Sequence, residues 1–312
     1  MGGIKSMDSE KIINILKLSR GISYAAIFIY LLGALFALVI GAPFDVGKLI
    51  LGYAILFTGT LGGMYTNSYY DVAVDKSSTQ TAISGGSRVL ADHPELRKTI
   101  RLIMLSLFSL SIILGLVFTI LYSYPVTFFA FVVVSNLVAW QYTAPPFRLV
   151  YRGFGEIATL LILGVFMVGF GYFVVRGTID LSYALYSIPF MLFGFAFSFF
   201  VEIADRSADL QGHKITMVVR RNERFGFIMG TISVAGAMAC FLLFYLLQVF
   251  PVSVNFLILA LLTLIPVVLG ALSLRNYIAN PTTMISMATR SSISTFLTFI
   301  FIDAYFIYAL LI

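Results

Sequence analysis

The sequence predicts an all-α, polytopic membrane protein with nine transmembrane helices. Two observations place it in a bilayer. Of 312 residues, 60% are apolar and only 11% are charged, against about 45–50% and about 25% in an ordinary soluble domain. Mean hydropathy is +1.00. A third observation makes the fold helical. The apolar residues form continuous runs of the length a membrane helix needs, without the alternation of a membrane β-barrel. In lipid, each segment must satisfy its own backbone polar groups. This composition excludes a disordered chain, a disulfide-stapled secreted module and an ordinary cytosolic enzyme.

The elements follow in order. Residues 8–19 (DSEKIINILKLS) read as a short amphipathic helix on the membrane surface. Residues 1–20 are therefore set apart as a cytoplasmic N-terminal segment. Residues 21–312 form one transmembrane domain, with runs at 21–42, 49–70, 101–122, 125–142, 156–175, 182–204, 226–248, 252–273 and 291–312. With the N-terminus inside, 18 of the 20 Lys and Arg fall on the cytoplasmic side, and only Lys48 and Arg176 lie outside. That is a positive-inside pattern, and it puts the C-terminus outside the cell membrane. The net charge of +6 is explained by these short basic loops, so no nucleic-acid partner is expected. The single Cys240 sits in an apolar run and reads as a packing residue.

Two inside loops, 71–100 and 205–225, are much longer than the outside turns, and long loops in compact proteins are usually functional. Each begins with acids. The second span ends in Asn67, Asp71 and Asp75, spaced to share one helix face. The sixth ends in Glu202, Asp205 and Asp209. Asp71 to Asp205 and Asp75 to Asp209 have the same offset, and each cluster precedes a polar loop with glycine and a basic residue. This is a diverged internal repeat. Carboxylates at helix C-termini are disfavoured by the macrodipole, and a divalent cation offsets that cost. Mg²⁺ prefers a few carboxylates together with phosphate oxygens. Two facing acidic pairs with nearby Lys and Arg therefore suit a Mg²⁺-bridged diphosphate. The competing reading is a set of solvated boundary acids; the matched spacing of two clusters argues against it.

With these clusters, the segment Tyr142-Thr-Ala-Pro-Pro146 and the following Arg148, Arg152, Gly153, Gly155 and Glu156, the chain resembles the UbiA superfamily of intramembrane prenyltransferases. The resemblance spans nearly the whole chain. It implies a helical bundle around a central cavity, capped by loops 71–100 and 205–225. It also implies transfer of a polyprenyl group from its diphosphate to an acceptor through an allylic carbocation. Asp71, Asp75, Asp205 and Asp209 would hold the metal. Arg88 and Lys214, then Arg20 and Arg148, would bind diphosphate and stabilise the charge on the leaving group. Asn67, Asp71 and Tyr142 would be catalytic, with Tyr142 facing the cation through its ring and Asn67 through its amide oxygen. The competing role for Arg20, Arg148 and Arg152 is anchoring to lipid head groups, and for Tyr142 it is the interfacial aromatic belt.

Gly85-Gly-Ser-Arg-Val-Leu90 is similar to the branch that prenylates dihydroxynaphthoate in quinone biosynthesis. This implies a geranylgeranyl-class donor and an aromatic acceptor. Glu202 departs from that branch, which often has Asn there. Geranylgeranylglyceryl phosphate, a lipid-phosphate acceptor of ether-lipid synthesis, is the alternative. A cation-coupled secondary transporter is a second alternative, disfavoured because both clusters lie at one boundary and not at the midplane. Asp303, deep in the last span, has no assigned role.

Overall fold

The computed structural model describes residues 2–19, 23, 25–81, 84–250 and 254–312, and every regular element among them is helical. In chain order these are α1 (Gly2–Lys17), α2 (Ala26–Val39), α3 (Val46–Tyr70), α4 (Val72–Ser77), α5 (Val89–Asp92), α6 (Arg97–Leu121) and α7 (Val126–Gln141). There follow α8 (Gly155–Arg176), α9 (Leu181–Gln211), α10 (Met217–Arg220), α11 (Glu223–Leu246), α12 (Phe256–Ala279) and α13 (Met284–Leu311). Among the described residues, seven helices are long and apolar enough to cross a membrane: α3, α6, α8, α9, α11, α12 and α13, the last preceded by a 3₁₀ turn.

Two of the nine expected spans are shorter. α2 has 14 residues and α7 has 16, which at about 1.5 Å per residue is less than the roughly 30 Å hydrocarbon core. α2 stops where Gly41 takes a left-handed backbone and Pro43 follows. α7 stops just before Pro145 and Pro146, which have no N–H to continue a helix.

The two expected long loops are also more structured than composition suggests. Residues 71–100 contain α4, α5 and a 3₁₀ turn at Pro94–Leu96. α9 runs unbroken for 31 residues to Gln211, so 205–211 are helix and the true loop starts at Gly212. The polar stretch Arg206-Ser-Ala-Asp-Leu-Gln211 contains good helix formers and no breaker. Asp205 and Asp209 are thus fixed on a rigid element.

α2 lies against α8, α3 packs on α6 and α7, and α9, α11, α12 and α13 complete the bundle. α2 and α8 approach so closely that a methyl group at Gly33 would overlap the Val168 carbonyl, and one at Gly171 the Tyr30 carbonyl. The core is aromatic: Phe36 stacks on Tyr186 with ring centroids 3.7 Å apart, and Phe190, Phe193 and Phe241 continue the packing. α1 is tied to the bundle by Tyr65, whose hydroxyl donates to the Ile15 carbonyl at 2.9 Å. Leu18 is buried with Val89 and Leu90, while Ile12, Ile13 and Leu16 are exposed.

Candidate active site

α3 carries the first acidic cluster to its end. Its helical pattern is interrupted at Asp71, yet the Asp71 N–H still donates to Asn67 O and the Asp75 N–H to Asp71 O, both at 2.8 Å. α4 therefore continues nearly in line, and both carboxylates are buried at 5% exposure. α9 brings Asp209 to the same place. Lys214, just past the end of α9, bridges the two helices: its Nζ is 2.8 Å from Asp71 Oδ2 and 3.5 Å from Asp209 Oδ1.

This bridge has consequences for charge. Burial alone would lower the Lys214 pKa, but Asp71 and Asp209 outweigh it and hold the ammonium well above the ordinary lysine range. Lys214 is a fixed cation at physiological pH. Removing one member of such a buried set typically costs about 3–5 kcal/mol, because the remaining charges lose their partner.

The other oxygen of Asp71 accepts from the Tyr151 hydroxyl at 2.6 Å. Burial, and then the Asp71 charge, raise the Tyr151 pKa, so the phenol stays a donor. Arg148 stacks on the Tyr151 ring with its guanidinium carbon 4.0 Å from the centroid, held there by left-handed backbone at φ 48°. Its Nε is buried with no partner among the described residues. Asp75 accepts from the Ser87 N–H at 3.2 Å. Gly86, at φ +65°, lies so close to that carboxylate that a side chain there would collide with it. The glycine pair thus lets the loop wrap the acid.

Beneath the bridge lies a cavity of about 230 Å³, reached by Asn67 of α3 and by Tyr142 and Thr159. Thr143 donates to Asn67 Oδ1 at 3.0 Å and fixes the amide. Most of the remaining wall is apolar, formed by Ile55, Leu56, Ile162, Phe166, Phe170, Phe296 and Phe299, with Ser111, Ser135 and Asn136 set among them. The α8 wall is a π-helical segment, Leu161–Met167, a distortion frequently found at functional sites. A charged cluster one helical turn beyond Asn67, next to a largely apolar and aromatic cavity, can hold an amphiphile by its anionic head and its hydrocarbon tail.

The structure brings together most of the residues expected from sequence. Asp71, Asp209 and Lys214 are in direct contact, and Asn67 and Tyr142 line the cavity. Asp75 lies one turn beyond Asp71. Asp205 is half-buried one turn before Asp209 on α9. Arg148 reaches the site through Tyr151. Arg88 begins α5 at φ 58°, and the Ser87 N–H ties this loop to the cluster. Arg20 lies outside the described residues.

Tyr151, Thr143 and Glu156 add to this set. Glu156 is fully buried and accepts from the Met217 N–H. The Tyr151 signal in the sequence is its position three residues after Arg148; nothing local pairs it with Asp71, 80 residues away.

Among the described residues, no three His, Cys, Asp or Glu side chains converge into a protein-only metal cage. Carboxylates from two helices meeting around one cation instead match the sparse donor set that Mg²⁺ takes when phosphate oxygens complete its shell.

The sequence profile of the UbiA prenyltransferase family matches residues 26–289. No curated protein matches the chain by sequence. Among solved structures, a UbiA homologue from Aeropyrum pernix K1 aligns with a TM-score of 0.68 at 16% identity, covering 91% of this chain and 97% of that one. A UbiA homologue from Archaeoglobus fulgidus bound to GPP and Mg²⁺ aligns at 0.65 and 13% identity, covering 95% and 100%. A digeranylgeranylglyceryl phosphate synthase aligns at 0.62 and 17% identity, covering 96% and 99%.

Proposed function

The chain belongs to the UbiA prenyltransferase family, and on that premise we propose that it transfers a geranylgeranyl-class group to a dihydroxynaphthoate-like aromatic acceptor, with Mg²⁺. The carrying observation is the Asp71–Lys214–Asp209 bridge above a cavity that Asn67 and Tyr142 line. The transporter alternative gives way to the family's prenyl-transferring chemistry.

Asp71, Asp75, Asp205 and Asp209 would hold the metal. When bound, Mg²⁺ would neutralise negative charge on the departing diphosphate. Lys214 supplies a fixed cation at the same cluster, and Arg148 and Arg88 add positive charge from the flanking loops. Arg20 would add more from the start of the first span. Tyr151 orients Asp71, and Thr143 orients the Asn67 amide. As the allylic C–O bond breaks, its electron pair leaves with diphosphate. A nucleophilic ring carbon of the acceptor bonds to the allylic carbon, and the ring then loses a proton. Tyr142 and the Asn67 oxygen face the developing cation, and the apolar walls keep water from capturing it.

The chain is read as nine crossings of the cell membrane, with the N-terminus and the site cytoplasmic. The N-terminal segment would lie along the surface, and the loops after α3 and α9 would close over the site. The Gly85–Leu90 stretch supports the quinone-precursor acceptor. A lipid-phosphate acceptor is the second reading, supported by the synthase among the structural neighbours.

The test is mass spectrometry of product from purified enzyme, Mg²⁺ and geranylgeranyl diphosphate, with 1,4-dihydroxy-2-naphthoate and geranylgeranylglyceryl phosphate in competition. Prenylated naphthoate is expected. Exclusive ether-lipid product would establish the second reading.

A further inference from the structure

Arg88 stands on a segment packed into its own small core. Leu18, Tyr65, Val89, Leu90, Leu96 and Ile100 belong to a second hydrophobic cluster, separate from the aromatic core of the bundle. They come from four places in the chain: the turn after α1, α3, the 88–96 segment and α6. Ile15 of α1 packs on the same cluster.

A polar arm of α1 grips the segment beside this core. Asn14 is buried although polar. Its Nδ2 lies 3.1 Å from His93 Nε2, and its Oδ1 accepts from Lys17 Nζ at 3.2 Å. His93 Nδ1 lies 3.2 Å from Glu95 Oε1. A carboxylate only accepts, so the ring proton sits on Nδ1, and this tautomer leaves Nε2 to accept from Asn14. Every donor then meets an acceptor along Lys17, Asn14, His93 and Glu95, an order that assigns both the amide and the ring.

These contacts reach Arg88 through the backbone. Arg88 takes left-handed backbone at φ 58°, which few residues other than glycine adopt. Its carbonyl accepts from the Ala91 N–H at 2.9 Å and the Asp92 N–H at 3.0 Å, and the His93 N–H donates to Val89 O at 2.7 Å. Arg88 is thereby an extension of α5. On its other side the Ser87 N–H is tied to Asp75. Residues 87–93 are thus suspended between the first acidic cluster and α1.

We propose that Asn14, Leu18 and His93 position Arg88: α1 docks on the second core, and its hold on α5 sets where the Arg88 guanidinium stands relative to Asp75. They are positioning residues, acting on the diphosphate donor through Arg88. The kinetic half of the test rests on the reading of Arg88 as a diphosphate ligand; the exchange half does not.

The test is amide hydrogen exchange on the full-length protein in nanodiscs, together with steady-state kinetics on geranylgeranyl diphosphate. Asn14→Ala should speed exchange across residues 87–93. It should also raise the donor KM about fivefold, the scale of one lost hydrogen bond, while leaving kcat within about threefold. His93→Ala should do the same, and the double variant should be no worse than either single one, because both remove one contact. Leu18→Ala, which empties a place in the second core, should raise KM about tenfold. Leu18→Met, which keeps the volume, should restore wild-type exchange and KM. Exchange in α11 and α12, which pack in the other core, should stay at wild-type rates throughout. Where Leu18→Ala folds poorly, Asn14→Ala gives the same readout from a contact outside the core. Combining Asn14→Ala with Arg88→Gln should raise KM no further than Arg88→Gln alone.

Unchanged exchange across 87–93 in Asn14→Ala would overturn the proposal. So would faster exchange with an unchanged donor KM while Arg88→Gln raises it, or KM effects that add to those of Arg88→Gln. A donor KM unaffected by Arg88→Gln would instead remove Arg88 from diphosphate binding, and exchange across 87–93 alone would then decide whether α1 positions it.

Discussion

The two acidic clusters share a spacing but are built differently. The first lies across an interruption in the helical pattern at Asp71 between α3 and α4, with both of its aspartates buried. The second lies within the unbroken α9, with Asp209 buried and Asp205 half-buried. The repeat in sequence pairs Asp71 with Asp205, yet Lys214 joins Asp71 to Asp209. Equal offsets identify equivalent residues; they do not identify neighbours. Asp71 is held from two sides, by Lys214 and by Tyr151, so the site is asymmetric and centred on the first cluster.

That asymmetry sets an order of effects. Asp71→Ala should be the most damaging single change, lowering kcat/KM about a thousandfold, the upper range for losing one preorganised electrostatic group. Initial rates of diphosphate release measure it. Asp209→Ala, which loses one arm of the bridge, should cost about a hundredfold on the same scale. Asp205→Ala should cost about tenfold, the least of the aspartates, since this carboxylate is the more exposed member of its pair. Wild-type rates in Asp205→Ala would show that the second cluster acts through Asp209 alone and would break the two-cluster description.

Tyr151→Phe probes the same asymmetry from the opposite side of Asp71. It removes one hydrogen bond to Asp71, a loss of about 1 kcal/mol or roughly fivefold. The same substitution should leave thermal unfolding within a few degrees of wild type, because Asp71 keeps Lys214. A loss as large as that of Asp71→Ala would mean that Tyr151 contacts substrate.

Much of this architecture is legible in the sequence, for identifiable reasons. Apolar runs reveal helices because lipid demands them, and DxxxD spacing reveals a shared face because helical periodicity does. Lys214 can be chosen from its place after the second cluster. Other features depend on tertiary context. The partner of Tyr151 is 80 residues away, and Thr143 finds Asn67 across 76. The extension of α9 through Asp209 was hidden by polar composition, which marks both loops and solvated helix ends. The shortness of α2 and α7 follows from where glycine and proline cut an apolar run that looks longer. Glu156 stands in a motif, but its contact with Met217 belongs to the folded loop and not to any local pattern.

Under the proposed function, Asp71 and Asp209 together receive a metal-bound diphosphate beside the cavity, and anomalous diffraction from crystals grown with Mn²⁺ and a non-reactive thiodiphosphate analogue of the donor would observe that directly. Manganese is expected within coordinating distance of both Asp71 and Asp209, with the hydrocarbon tail running past Asn67 and Tyr142. Manganese bound elsewhere, with these two carboxylates still closed on Lys214 alone, would contradict it.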